Sequence, residues 1–331
     1  MKRFLILGII LCLGLACFLS GCSSSNSNRI RVGEVTRSLF YAPQYVALEK
    51  GFFKEEELEV EVTTTWGGDK TMTSLLSDGI DVALVGSETS IYVDQQGPQD
   101  PIINFAVLTQ TDGTFLVARS KPKHFAWDQV KGKVFLGQRK GGMPQMVGEF
   151  VLNKNSIDPQ KDATVLQNIE FKNIPSAFAS GTGDFVQLFE PTASQFEQEG
   201  IGYIVASFGK ESGNVPYTSY MTKQSYILKN KTNIQRFTNA IYKGQQWVHS
   251  HSAEEVAKVI TPYFSDVKAD ILTRSVKRYQ EQAAYSATPL LKKDDWELLL
   301  EIMKAAGELK QSVPYEKLVN DTFAKQALGG K

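Results

Sequence analysis

Hydrophobic and polar positions along this chain follow two periods, and the period switches repeatedly. Residues 29–35 (RIRVGEV) alternate in period two, as a half-buried strand does. Pro43 sits where a helix can begin, and Tyr45, Val46, Leu48 and Phe52 form a helical stripe that stops around Gly51-Phe52-Phe53. Residues 58–63 (LEVEVT) alternate again. Gly67-Gly68-Asp69 marks a turn, with Asp69 as the expected N-cap of a helix reaching Ser77. Residues 81–85 (DVALV) are an apolar run suited to a strand buried on both faces, and Gly86-Ser87-Glu88 opens the next helix. Residues 102–108 and 114–118 read as further strands.

The rhythm restarts after Lys121-Pro122. A short helix is expected at 127–130, a strand at 133–137, a glycine loop at 139–144 and a helix at 145–152. Strands follow at 164–166, 185–188 and 203–206, with helices at 174–179 and 191–199 between them. From Thr232 onward the pattern is mainly helical, with stretches at 234–249, 253–264, 269–279 and 296–306. Strands alternating with helices imply sheets covered on both faces. The 331 residues suffice for about two domains. The expected fold is therefore α/β, with two lobes that are each a mostly parallel sheet flanked by helices.

The N-terminus changes the picture of where the chain works. Lys2 and Arg3 precede an apolar run from Phe4 to Leu19, shorter than the ~20 apolar residues of a spanning helix and suited to a secretory signal. The run ends in Leu19-Ser20-Gly21-Cys22, which resembles the bacterial lipobox, where lipid is attached to the cysteine and the chain is cut before it. Residues 1–21 are thus expected to be a lipoprotein signal peptide. Cys22 is the expected lipidation site, and residues 22–28 (CSSSNSN) a flexible tether. Cys12 and Cys17 fall within the signal, so the folded part has no cysteine for a disulfide or for thiol chemistry. Lys+Arg and Asp+Glu both number 36, with no basic block of the kind nucleic acid needs. His124, His249 and His251 form no metal-ligand spacing, and no metal or cofactor is expected.

Three segments carry a family resemblance. YAPQYVALEKGFFKEEELEVEV (residues 41–62), SDGIDVALVGSETS (77–90) and FEPTASQFEQEG (189–200) resemble, in this order, substrate-binding proteins of ABC transporters in the nitrate/sulfonate/taurine and thiamine-pyrimidine-precursor group. The resemblance implies the type II two-lobed periplasmic-binding-protein fold, with two crossover strands as a hinge. It places the crossovers near residues 117–121 and 213–218. Lobe one is then residues 29–118 plus 217–331, and lobe two residues 119–216. It further implies a monomer that binds a small molecule and passes it to permease and ATPase subunits at the outer face of the cell membrane.

Ligands of open α/β sheets bind beyond the carboxyl ends of strands. That rule marks the loops at 38–41, 66–68, 86–89, 110–113, 138–144 and 189–192. Trp66, beside two glycines, and Tyr41 are candidates for stacking on a flat ligand, while Phe40 reads as lobe core. Gly86, Ser87, Glu88 and Thr89 offer a helix start to a ligand, although Ser87 also suits capping and Glu88 also complements the helix dipole. Arg139, Lys140 and Gly142 combine cations with glycines, without the P-loop order. Glu190, before Pro191, suits a ligand with amino or amidine-like donors and repels a plain anion. Asp112 and Tyr217 lie near the crossovers as further candidate contacts, with Tyr217 equally suited to hinge packing.

These hints conflict. Arg139 and Lys140 favour a sulfonate or nitrate; Trp66, Tyr41 and Glu190 favour a nitrogen heterocycle such as a thiamine-pyrimidine precursor, and the balance leans to the heterocycle. A receptor for a signalling partner would share the same lobes. A pyrimidine-synthase-like enzyme fits poorly, because such relatives depend on His and Cys residues that the strand-end loops lack, and no catalytic set appears in the sequence.

Overall fold

The computed structural model describes residues 28–329. The signal, Cys22 and nearly all of the tether lie outside them. Ten strands form two five-stranded sheets. The first contains β1 (Arg29–Glu34), β2 (Glu59–Thr64), β3 (Val82–Gly86), β4 (Ile102–Thr109) and β10 (Thr218–Lys223), in the order β2-β1-β3-β10-β4. The second contains β5 (Thr114–Ala118), β6 (Val134–Leu136), β7 (Thr164–Leu166), β8 (Phe185–Phe189) and β9 (Tyr203–Ser207), in the order β7-β6-β8-β5-β9. Each sheet is mixed. Parallel pairs such as β1–β2 and β6–β7 are joined by one strand that runs antiparallel to both its neighbours, β10 in the first sheet and β5 in the second.

β5 therefore belongs to the second sheet. The first crossover is the Thr111-Asp112-Gly113 turn before it, not the stretch at 117–121 that follows it. The sequence break at Lys121-Pro122 is real, but it ends a strand that has already changed lobes. The return crossing lies between the helix Phe208–Ser212 and β10, within the expected stretch.

β10 itself was hidden by its polarity. Its residues are TSYMTK, yet five of the six are buried. The hydroxyls are satisfied inside the sheet: Ser219 meets Ser87 at 2.6 Å, Thr222 donates to the Asp81 carbonyl at 2.6 Å, and Thr218 pairs with Thr109. Helices cover the first sheet as its apolar faces require. The helix Ala42–Glu49, with Pro43 in its first turn, packs against the 20-residue helix Lys231–Ser250. Gly244 allows that approach, because a Cβ there would stand 2.4 Å from the Pro43 carbonyl oxygen.

Candidate ligand-binding site between the lobes

The loops at the strand ends converge on a chamber of about 100 Å³ between the sheets. Its apolar walls come from both lobes: Phe40, Tyr41 and Val85 on one side, Met143, Phe171 and Phe189 on the other, with Tyr217 at the crossover. Phe40 is the centre of the aromatic packing, with ring centroids 5.4 Å from Tyr217, 5.9 Å from Phe189 and 5.3 Å from Tyr279. Core and wall are one and the same here. A ring buried to 1% exposure still presents an edge to the chamber.

Two chamber-lining residues each carry a buried polar atom with no protein partner, Glu88 Oε2 and Gln138 Oε1, and the buried Tyr217 hydroxyl faces the Asp112 carboxyl. Buried polar atoms are ordinarily hydrogen-bonded, so these residues are candidate ligand contacts. Gln138 is fixed by its other end, which donates to the Gln187 carbonyl at 2.6 Å. Glu88 folds back over the start of its own helix, Glu88–Asp94. Its Oε1 accepts from the Met143 N–H of the opposite lobe at 3.3 Å. Burial pushes the Glu88 carboxyl up to about 8, against the opposing pull of its own N–H and that of Met143. Gly86 makes the fold-back possible, since a Cβ on it would lie 2.1 Å from Glu88 Oε2.

The neighbouring candidates play other parts. Ser87 does not cap with its side chain; its hydroxyl binds Ser219, and its N–H meets the Tyr217 carbonyl at 3.3 Å. Thr89 donates to the Gly86 carbonyl at 2.7 Å and turns away from the chamber. Arg139 lines the chamber but pairs with Asp69 of the other lobe at 2.8 Å. Asp69 accordingly does not cap. Gly67 precedes the helix Gly68–Leu76, and the Asp69 carboxylate, despite partial burial, is held below the ordinary carboxylate range by Arg139. Lys140 is exposed and does not line the chamber, whereas Gly142 does, just before the helix Met143–Lys154. With Tyr92 donating to the Gly141 carbonyl at 3.0 Å, these links hold the lobes together across the cleft.

Glu190 is occupied by the protein itself. Its carboxylate accepts from the Ser194 N–H and hydroxyl at 2.8 Å each, from Ser275 at 3.2 Å and from Arg278 at 2.9 Å. The strand-end rule locates its backbone correctly, but the side chain turns to the helix Ala269–Glu281 rather than to a ligand. Asp112 lies in the crossover turn, accepts from the Thr114 N–H at 2.6 Å and is pushed up to about 6 by burial. Its carboxyl faces the Tyr217 hydroxyl, which, with Thr114, pulls it down against the push of burial.

Trp66 stands outside the chamber. It is 52% exposed and lines a wider vestibule of about 840 Å³ that shares Thr36, Ser38, Gln138, Phe171 and Phe189 with the chamber. Gln138, Met143, Phe171 and Phe189 were not singled out in the sequence. Gln138, Met143 and Phe189 fall inside loops that the strand-end rule marks, whereas Phe171 lies between marked segments and gives no such signal.

Two lobes of this topology around an interlobe chamber define the two-lobed periplasmic-binding-protein fold. The chain belongs to the NMT1-like family, which it matches over residues 23–261. It is 59% identical over 335 aligned positions, covering 100% of both chains, to the Bacillus subtilis (strain 168) protein named "Putative binding protein YtlA". Among solved structures it is similar to the nitrate-binding protein NrtA from Synechocystis PCC 6803, with TM-score 0.73 and 17% identity over 91% of this chain and 88% of that one. It is also similar to the alkanesulfonate-binding protein SsuA from Xanthomonas axonopodis pv. citri, with TM-score 0.72 and 15% identity over 89% of this chain and 99% of that one. At such identities the likeness to these two is one of fold.

Proposed function

We propose that this protein is an extracytoplasmic solute-binding protein, lipid-anchored through Cys22, that delivers a small nitrogen heterocycle to an ABC import permease by closing its lobes on it. A thiamine-pyrimidine precursor represents the ligand class. Family and fold support the solute-binding role. The observation that carries the ligand class is the chamber's chemistry. Aromatic residues from both lobes line it together with Glu88 and Gln138, each of which carries an unpartnered polar atom. Arg139, the one cation among the described lining residues, is already paired with Asp69. A flat ring with donors and acceptors on its edge satisfies such a site, whereas a bare anion finds no free positive charge among the described lining residues. Closure follows because the walls come from different lobes, so only the closed form makes every contact.

The fold neighbours' names favour a second reading, a sulfonate or nitrate as ligand. A thermal-shift screen of the full chain in detergent separates the two. The panel holds aminopyrimidines, thiamine, riboflavin, alkanesulfonates, taurine and nitrate. A ligand at a hundred times its Kd stabilises the folded protein by about 2.7 kcal/mol. A shift with heterocycles supports the proposal; a shift with sulfonates or nitrate alone replaces the ligand class and keeps the transport role.

A further inference from the structure

The Glu88 carboxyl faces two ways at once. One oxygen receives the Met143 N–H that begins the helix Met143–Lys154 of lobe two, at 3.3 Å. The other, Oε2, is buried, unpartnered and borders the chamber. The residue is 4% exposed, and no cation among the described residues forms an ion pair with it. A carboxyl group in such a place is most stable carrying its proton. Protonated, Oε2 becomes a hydroxyl donor, buried over Gly86 on a residue that lines the chamber, and a lone pair on a basic ring nitrogen is complementary to it. The chamber, about 100 Å³ before it opens to the vestibule, favours a small ring. Gln138 Oε1, an acceptor on the second-lobe side of the chamber, suits an exocyclic amino group.

We propose that Glu88 is the specificity-determining residue of the chamber: it holds a basic ring nitrogen of a monocyclic aminoheterocycle through one shared proton, while its second oxygen carries that contact to lobe two through Met143. The inference rests on the heterocycle reading above and narrows it. No bond other than hydrogen bonds forms. The proton that Glu88 carries in the free protein stays between oxygen and nitrogen in the complex.

That stoichiometry has a signature. The complex holds one proton at this contact. Above the titration of free Glu88, at about 8, a proton has to be taken up for binding, so affinity falls as pH rises. Below the titration of the ring nitrogen itself, a second proton has to leave, so affinity falls again. The other groups near Glu88 leave the alkaline side clear. Tyr41, Tyr92 and Tyr217 are all raised by burial and stay neutral. Arg139 and Asp69 remain a charged pair, and Asp112, at about 6, titrates only on the acid side.

The test is calorimetric titration of the full chain in detergent with 4-aminopyrimidine, and with methanesulfonate as control, from pH 5 to pH 9.5. The expected result is affinity level near neutrality and falling about tenfold per pH unit above about 8, with the alkaline limb absent in Glu88→Gln and affinity at pH 7 at least tenfold weaker. Gly86→Ala, which places a methyl group against Oε2 while keeping the carboxyl, is expected to weaken binding as well, so the outcome does not depend on one variant's folding. Heterocycle binding whose alkaline limb persists in Glu88→Gln overturns the role of Glu88 and leaves the heterocycle reading intact. Binding of methanesulfonate but not 4-aminopyrimidine overturns both. Absence of any 4-aminopyrimidine binding by the folded wild type overturns the assignment of Glu88.

Discussion

The guanidinium of Arg278, on the helix Ala269–Glu281, reaches the Glu190 carboxylate at the end of β8 at 2.9 Å and Glu197 at 2.6 Å. Glu190's side chain is fully buried, and Ser194 and Ser275 complete its hydrogen bonds. This helix also packs on Leu39–Tyr41 of the first lobe, so the cluster ties the two lobes together. Removing one partner of a buried, hydrogen-bonded pair leaves an uncompensated charge, which costs about 3–5 kcal/mol. Arg278→Ala is expected to fall near 3 kcal/mol, because Arg278 keeps 22% side-chain exposure and water reaches part of the cluster. Denaturant unfolding of the ligand-free protein measures this. A loss under 1 kcal/mol would mean that the pair does not clamp the lobes.

The same residue shows where sequence reasoning succeeds and stops. The rule that ligands lie beyond strand ends located the loops carrying Tyr41, Gly86, Glu88, Gln138, Gly142 and Phe189, because chain direction and sheet order fix where loops emerge. It could not say which way a side chain turns within a loop. Glu190 turned to Arg278, some 88 residues later in the chain, and no local pattern encodes that meeting. Glu88 turned inward because Gly86 lacks a Cβ, a relation visible only in three dimensions. β10 escaped for another reason. Its hydroxyls are partnered by Thr109, Ser87 and Asp81, so a buried strand reads as polar until its neighbours are known.

Gly244 faces two opposing effects. Replacing a mid-helix glycine by alanine ordinarily stabilises a helix by about 1 kcal/mol. Here the new Cβ would stand 2.4 Å from the Pro43 carbonyl oxygen and 3.1 Å from the Ala47 Cβ, both on the packed helix Ala42–Glu49. Backbone cannot yield as a flexible side chain does, and overpacking costs about 1–3 kcal/mol. Gly244→Ala is expected to be net destabilising by about 1–2 kcal/mol, with a lowered Tm. An unchanged or higher Tm would show that the helix pair slides apart freely.

Asp112 makes the empty protein sensitive to mild acid in an unusual direction. Its folded pKa, about 6, lies above the ordinary value near 3.9 for an unfolded aspartate. A group raised in this way contributes stability that is fully present below the unfolded value and lost as pH rises through the folded one. Between pH 4 and pH 6 it removes about 2–3 kcal/mol as pH rises. Asp112→Asn is expected to reduce the slope of that part of the profile by about half and leave the decline from about pH 4.5 to about pH 8 that Glu88 causes. Tm measured across pH 4–9 for both proteins checks this. Identical profiles would mean that Asp112 titrates as an exposed aspartate.

Arg139 separates the two ligand classes most directly. Its pair with Asp69 spans the cleft at 2.8 Å, but the two side chains keep 40% and 53% exposure. Such a pair contributes at most about 1 kcal/mol and weakens with salt. For a heterocycle held by aromatic walls and Glu88, Arg139→Ala removes only this closing contact, and affinity is expected to drop by about fivefold or less. For a sulfonate or nitrate, Arg139 would have to leave Asp69 and supply the one positive charge in the chamber. Its loss would then cost a charge-assisted hydrogen bond, about 1.5–3 kcal/mol or 10- to 150-fold in Kd. Titrating wild type and Arg139→Ala with both ligand classes at low and at 0.5 M salt distinguishes the cases. A large, salt-insensitive loss for the variant would place the guanidinium on the ligand itself and remove the basis for preferring a heterocycle.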